Sequence, residues 1–273
     1  MCELLALSTS RPTQLTFSLH TLASRGGESS STRDGWGVAF YQGQDVALFR
    51  EPVAAASSAL VQYLETRGPH TKLAISHIRH ATRGTVQFEN TQPFVRELGG
   101  HTHVFAHNGD LPGIERSPAL ALGAYRPVGQ TDSEFAFCAL LARLTPLWQG
   151  VGPPTVDARM ALLAAFAADL RTLGPANFLY ADADLLFAHG HRRMQSASRR
   201  AEPPGLWALQ RHCPSVDSTA DNQAGVALGE GERVALFIAS VPLTDEAWQP
   251  LAEGELLAVR GGEIVATSVA APA

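Results

Sequence analysis

Two apolar stretches at helical spacing stand in the middle of this chain, with short strand-like runs on either side. Phe137, Leu140, Leu141 and Leu144 recur every three or four residues, the period of one helix face. A second helix is predicted over roughly 156–173, beyond the segment Gly150-Val151-Gly152-Pro153-Pro154. Before the pair, strands are predicted at 2–7, 36–41, 46–50, 73–78 and 103–106, with helical segments near 13–23 and 57–66. After it the chain reads as short strands at 178–181, 185–189, 206–209, 234–241, 255–259 and 263–267. This order does not alternate as βαβ units require, so it argues for an α+β protein with antiparallel sheets. The Gly-Pro stretch at 150–154 is the best boundary candidate, but it is short and closely framed by helices. One domain over residues 2–273 is the expectation.

Local signals refine this outline. Thr131 with Glu134 three residues later has the form of a capping box at a helix start. Gln42-Gly43-Gln44-Asp45 between two apolar runs predicts a hairpin. The Gly/Ser-rich segment 26–34 reads as a mobile loop.

Composition removes several functions. With 45% hydrophobic residues in 273 and a net charge of −5, the chain can bury a large core and offers no basic face to a phosphate backbone. Nucleic acid is therefore not expected as a partner. Lys72 is the only lysine, which leaves no P-loop lysine and little room for Schiff-base chemistry. Cys2, Cys138 and Cys213 cannot all pair and lack CxxC spacing, which suits a reduced, cytoplasmic setting. No basic n-region precedes the apolar residues 4–7, and the longest apolar run, near 161–168, is too short for a membrane span. No membrane partner and no cofactor are expected; a homo-oligomer stays open.

The second residue is a cysteine. If Met1 is trimmed, Cys2 carries both a thiol and an α-amine, with ordinary pKa values of about 8.5 and roughly 7.7–8.0. Nucleophile and base then share one residue. A thiol attacking an amide also needs donors for the oxyanion. The Asn108 side chain and the Gly109 N–H in His107-Asn108-Gly109 can supply them, with glycine allowing an unusual turn. In His77-Ile78-Arg79-His80-Ala81-Thr82, Arg79 can grip a carboxylate with two parallel bonds and Thr82 adds a hydroxyl. Asp132 can accept from a substrate ammonium. Each feature alone also fits a plainer role: an Asn-Gly turn, a surface ion pair, a carboxylate complementing a helix dipole.

Taken in order, six segments carry a resemblance. They are Met1-Cys2; Arg25-Gly26 with Asp34-Gly35-Trp36-Gly37; the HxRxAT run at 77–82; Glu89-Asn90-Thr91-Gln92-Pro93-Phe94; His107-Asn108-Gly109; and Thr131-Asp132-Ser133-Glu134. Their order and spacing resemble the class II glutamine amidotransferases of the N-terminal nucleophile (Ntn) hydrolase superfamily, and most of all the short stand-alone members. The resemblance implies a four-layer αββα sandwich of two antiparallel sheets between helices. It implies Cys2 as nucleophile with its own amine as base, and Asn108 and Gly109 as oxyanion hole. Arg79 and Thr82 would bind an α-carboxylate, Asp132 an α-ammonium, and Arg25 and Trp36 would shape the pocket. The reaction implied is cleavage of a γ-glutamyl amide to glutamate through a thioester. The substrate would be glutamine, with a separate enzyme accepting the ammonia, or a glutathione-like γ-glutamyl peptide. A sensor that binds glutamine-like ligands without turnover is the non-enzyme reading.

One position departs from the family pattern: Gln92 stands where a histidine is usual in Asn-x-His-Pro-Phe. Glutamine keeps donor and acceptor but cannot become a cation. His101, His103 and His107 fall at even spacing and would share one strand face. No cysteine completes a zinc site there, so no metal is expected.

Overall fold

The computed structural model describes residues 2–14, 34–195, 197–213 and 232–269. In chain order its longer elements begin with strands β1 (Glu3–Gln14), β2 (Trp36–Gln42) and β3 (Asp45–Glu51), helix α1 (Ala59–Arg67), and strands β4 (His70–Ile78), β5 (Phe94–Leu98) and β6 (His101–Gly109). Helices α2 (Asp132–Leu144) and α3 (Val156–Arg171) follow, then β7 (Ala176–Ala181), β8 (Leu186–His189), β9 (Arg193–Met194) and β10 (Ala201–Glu202). The chain closes with β11 (Trp207–Cys213), β12 (Arg233–Ala239), β13 (Gln249–Pro250), β14 (Glu255–Arg260) and β15 (Glu263–Val269).

Among the described residues these form two large sheets, ordered β13-β11-β12-β1-β4-β2-β3 and β15-β14-β8-β7-β6-β5, and their ladders are antiparallel. Because strand side chains alternate faces, β1 serves two cores at once. Leu4 and Ala6 point between the sheets, with Val104, Ala106, Leu179, Leu257 and Ile238. Leu5 and Leu7 point outward, under Val61 and Leu64 of α1. On the far side α2 and α3 cover the outer face of the second sheet, where Phe105, Phe178 and Phe187 meet Phe137, Leu140, Leu163 and Phe166. The layers are therefore αββα. The segment 150–154 joins two helices that share this last cluster.

Several details depart from the sequence reading. Thr13 and Gln14 end β1, not a helix; the rest of 13–23 and the loop 26–33 lie outside the described residues. Strand β5 was not expected; its burial pattern and composition are mixed, and it lies at the edge of its sheet. Thr131 caps α2 by accepting from the Glu134 N–H, but Glu134 does not complete the box. Its carboxylate accepts instead from the N–H groups of Val128 and Gly129 and from Arg96. No helix among the described residues is long and apolar enough to cross a membrane.

Buried histidines give the fold an acid limit. Burial pushes His77 and His189 down to about 3 and His103 to about 4. Neither ring nitrogen of His77 has a hydrogen-bond partner among the described residues. These groups are neutral in the folded chain and take up protons on unfolding, so their stabilisation is complete above about pH 6.5 and is lost as pH falls toward 3–4. Glu3 acts oppositely. Burial raises it to about 7 despite Arg193 beside it, so it favours folding at low pH. Three protons against one leave a net of two, a slope of roughly 2–3 kcal/mol per pH unit around pH 5–6. Urea midpoints measured from pH 7 to 5 should fall; a flat profile would contradict these burial states.

Candidate active site

The ends of β1, β4 and β6 converge at Cys2. Pairing of Glu3 with Ile78 and of Leu4 with His77 carries the β4 end past the first residues of β1. The half-buried Cys2 thiol is held by one residue of that end: it accepts from the His80 N–H at 3.2 Å and donates to the His80 carbonyl at 3.3 Å. Burial pushes the thiol up to about 11, with the His80 N–H and Arg79 pulling weakly the other way. At neutral pH only about one thiol in 10^4 is then ionised, so attack requires a base acting on the thiol itself.

Asn108 sits on the other side of Cys2. Its side-chain amide donates to the Cys2 carbonyl at 2.6 Å and reaches Ser240 Oγ at 3.4 Å. Ser240 also accepts from the Leu4 N–H at 2.9 Å, so it ties the nucleophile strand to Asn108. Asn177 fixes Asn108 from behind, donating to its carbonyl at 3.1 Å. The HNG segment is not a turn. Asn108 and Gly109 are ladder residues opposite Asn177 and Ala176. Glycine is required at 109 by close approach: a Cβ there would lie 1.8 Å from the Pro175 carbonyl oxygen and 2.8 Å from His107 Nε2.

The Arg79 guanidinium is buried and faces main-chain carbonyls. Nη1 donates to Thr85 at 3.0 Å and reaches Asp34 at 3.5 Å; Nη2 donates to Arg83 at 2.9 Å and Gly84 at 3.3 Å. Four terminal N–H groups thus shape the turn 83–85. Thr82 is exposed on that turn. Asp34 supports its start, accepting from the Ala81 N–H at 2.8 Å. Asp132 is nearly buried at the start of α2, where it accepts from the N–H groups of Leu111 and Ser133, each at 2.8 Å. Asn90 joins these two walls, donating to the Thr85 carbonyl at 3.1 Å and accepting from the Gln130 N–H at 2.8 Å. Between them lies a cavity of about 300 Å³ lined by Arg83, Glu115, Gln130, Thr131, Asp132 and Phe135, among others. Asp110, Asn90 and Ser240 were not singled out as site residues by sequence. Asn90 lies inside a motif and could have been, whereas Ser240 gives no local signal.

Trp36 is fully buried in the outer cluster beneath α1, its indole N–H donating to Glu51 at 3.1 Å. Arg25 lies outside the described residues. The three even-spaced histidines do occupy β6, but the ring nitrogens of two are engaged by protein groups. His103 meets Tyr180 Oη and the Leu98 carbonyl, and His107 meets Ser133 Oγ and the Pro175 carbonyl.

Gln92 continues the β5–β6 register with its side chain. Phe94 pairs with Phe105, and two residues further back Gln92 Oε1 accepts from the His107 N–H at 2.6 Å while Nε2 donates to the His107 carbonyl at 3.2 Å. The amide stands in for a peptide group, which one imidazole cannot do because it lacks the paired donor and acceptor spacing. Gly37 makes room for this, since a Cβ there would lie 2.3 Å from the Gln92 carbonyl. Gln92→Leu should leave both His107 groups unpaired, costing about 2–5 kcal/mol in total, and should lower kcat by misplacing Asn108. Urea unfolding together with steady-state kinetics checks this; an unchanged midpoint would contradict it.

A thiol, an amide donor on the adjoining strand, and a charged cavity a few residues away make up the apparatus of a cysteine-dependent amide hydrolase. Residues 1–272 match the family model described as glutamine amidotransferases class-II. The chain is 36% identical over 256 residues to the Escherichia coli (strain K12) protein named "Putative glutamine amidotransferase YafJ", covering 93% of this chain and 96% of that one. A crystal structure of a predicted glutamine amidotransferase from Pseudomonas aeruginosa PA01 superposes with a TM-score of 0.68 at 34% identity, over 97% of this chain and all of that one. The glutamine phosphoribosylpyrophosphate amidotransferase of B. subtilis shares the fold at 16% identity (TM-score 0.56), over 98% of this chain and 49% of that one. The chain belongs to the class II glutamine amidotransferases.

Proposed function

We propose that this protein cleaves the γ-glutamyl amide bond of glutamine through a thioester on Cys2. The observation that carries the reading is the placement of the Cys2 thiol and carbonyl between His80 and the Asn108 amide. After removal of Met1, the α-amine takes the thiol proton and the sulfur attacks the side-chain carbonyl carbon. Asn108 and the Gly109 N–H stabilise the oxyanion. The tetrahedral species collapses with loss of ammonia, which carries away the proton, and water hydrolyses the thioester to glutamate. For Asn108 to serve, one of its N–H groups must turn from the Cys2 carbonyl or Ser240 to the substrate oxygen. Asp132 holds the α-ammonium, and the arginine turn 79–85, with Arg79 and Thr82, holds the α-carboxylate.

Glutamate release from glutamine and from a γ-glutamyl peptide, offered side by side across pH, tests the reading. Preference for glutamine with activity rising between roughly pH 7 and 8, the range of an α-amine, is the expected result. Preference for the peptide would make the protein a γ-glutamyl peptide hydrolase. Binding of glutamine without release of glutamate would make it a sensor. Activity still rising toward pH 11 would mean that the thiol ionises without help from the amine.

A further inference from the structure

We infer that Arg83, and not Arg79, makes the direct contact with the substrate's α-carboxylate, and that Arg79 is a positioning residue which folds the turn presenting it. The inference rests on the proposed recognition of a glutamyl head and names its cationic half. Arg79 has spent its four terminal N–H groups on the carbonyls of residues 34, 83, 84 and 85 and is buried. Releasing two of them to a ligand would dismantle the turn they hold. Arg83, by contrast, lines the 300 Å³ cavity that Asp132 also lines. Its Nε is held at 2.9 Å by Asp110 Oδ1, which fixes the direction of the guanidinium. Among the described residues no other partner engages it, so its terminal amino groups are available for the paired N–H···O contact that a carboxylate accepts.

Charge around the cavity sorts the two ends of an amino-acid head. Arg83 is the cation of its lining; Asp132 and Glu115 are the anions. Glu115 is exposed, whereas Asp132 is nearly buried and anchored by the Leu111 and Ser133 N–H groups, which makes Asp132 the fixed seat for an ammonium. The reacting end is close by. Asn108, on the Cys2 carbonyl, and Leu111, on Asp132, are three residues apart, so the main chain between them spans at most about 10 Å. Asn90 keeps the Arg83 turn and the Asp132 segment in register by bonding to both.

Binding, measured in the Cys2→Ala background so that turnover does not enter, tests the assignment. Titration calorimetry would compare L-glutamine with 4-aminobutanamide, which keeps amide and ammonium but lacks the carboxylate. Arg83→Gln should weaken glutamine by about 10- to 100-fold, the worth of a charge-assisted contact, and leave 4-aminobutanamide within about threefold. Arg83→Lys should recover part of the loss, and Tm should not move by more than a degree or two in either variant. Equal weakening of both ligands, or no weakening of glutamine, would overturn the inference. Arg83-dependent binding in a protein whose native form releases no glutamate would sink the hydrolase reading and leave this one standing. Absence of any glutamine binding would sink both.

Discussion

Cys2→Ala lowers kcat/KM for glutamate release by about 10^4-fold or more, because it removes the only group placed to form a covalent bond to the substrate carbonyl. The fold should survive. Cys2 stands at the head of β1 and is half-buried, and its thiol makes two sulfur contacts to a single residue, His80. A stability change of under about 1 kcal/mol is expected. Cys2→Ser should be nearly as inactive. It keeps the contacts to His80, but a hydroxyl is a far weaker acid than a thiol already held near 11. Glutamate assays with thermal melts of both variants distinguish loss of chemistry from loss of fold. Retention of more than a tenth of the activity in Cys2→Ala would remove Cys2 from the mechanism.

Gly109→Ala has the largest expected effect on stability. The added Cβ would lie 1.8 Å from Pro175 O and 2.7 Å from its carbonyl carbon, both backbone atoms in the segment leading into β7. Relief requires separating β6 from β7, the ladder on which Asn108 stands. The cost should be about 3 kcal/mol or more, a fall of roughly 6–12 °C in Tm for a chain of this size. Activity should fall further than folding accounts for, since the same shift moves the Asn108 amide from Cys2. Gly150→Ala is the control: its Cβ would meet open space, and Tm should change little. Equal Tm values for the two variants would contradict the close approach at 109.

Much of the site can be traced from residue type and spacing, because the chemistry needs particular groups in a fixed order. Cys2, Asn108, Gly109 and Asp132 were named for what a thiol, an oxyanion and an ammonium require, and the structure gathers Cys2 with Asn108 and places Asp132 on the cavity wall. What could not be read is which partner a side chain chooses when several are offered. Arg79 has the donors for a carboxylate, and nothing in the sequence says that four carbonyls take them first. The Asn-Gly pair favours a turn locally, but ladder pairing with β7 overrides that preference. Gly109 is then explained by Pro175, far away in sequence. Likewise, Gln92 looks like a lost histidine until its amide is seen paired with His107. The antiparallel layering was more legible, since β1 alternates Leu4 and Ala6 with Leu5 and Leu7 between two cores. Strand β5 was not, because its five residues include Arg96 and Glu97 and mark no clear alternation.

The account's central claim is a γ-glutamyl thioester on a Cys2 freed from Met1. Acid-quenched protein taken during turnover of glutamine, digested and mapped by mass spectrometry, tests it most directly. The account predicts an N-terminal peptide that begins at Cys2 and carries the mass of one γ-glutamyl group, absent from Cys2→Ala. An active protein that retains Met1, or a γ-glutamyl adduct on any other residue, would contradict it.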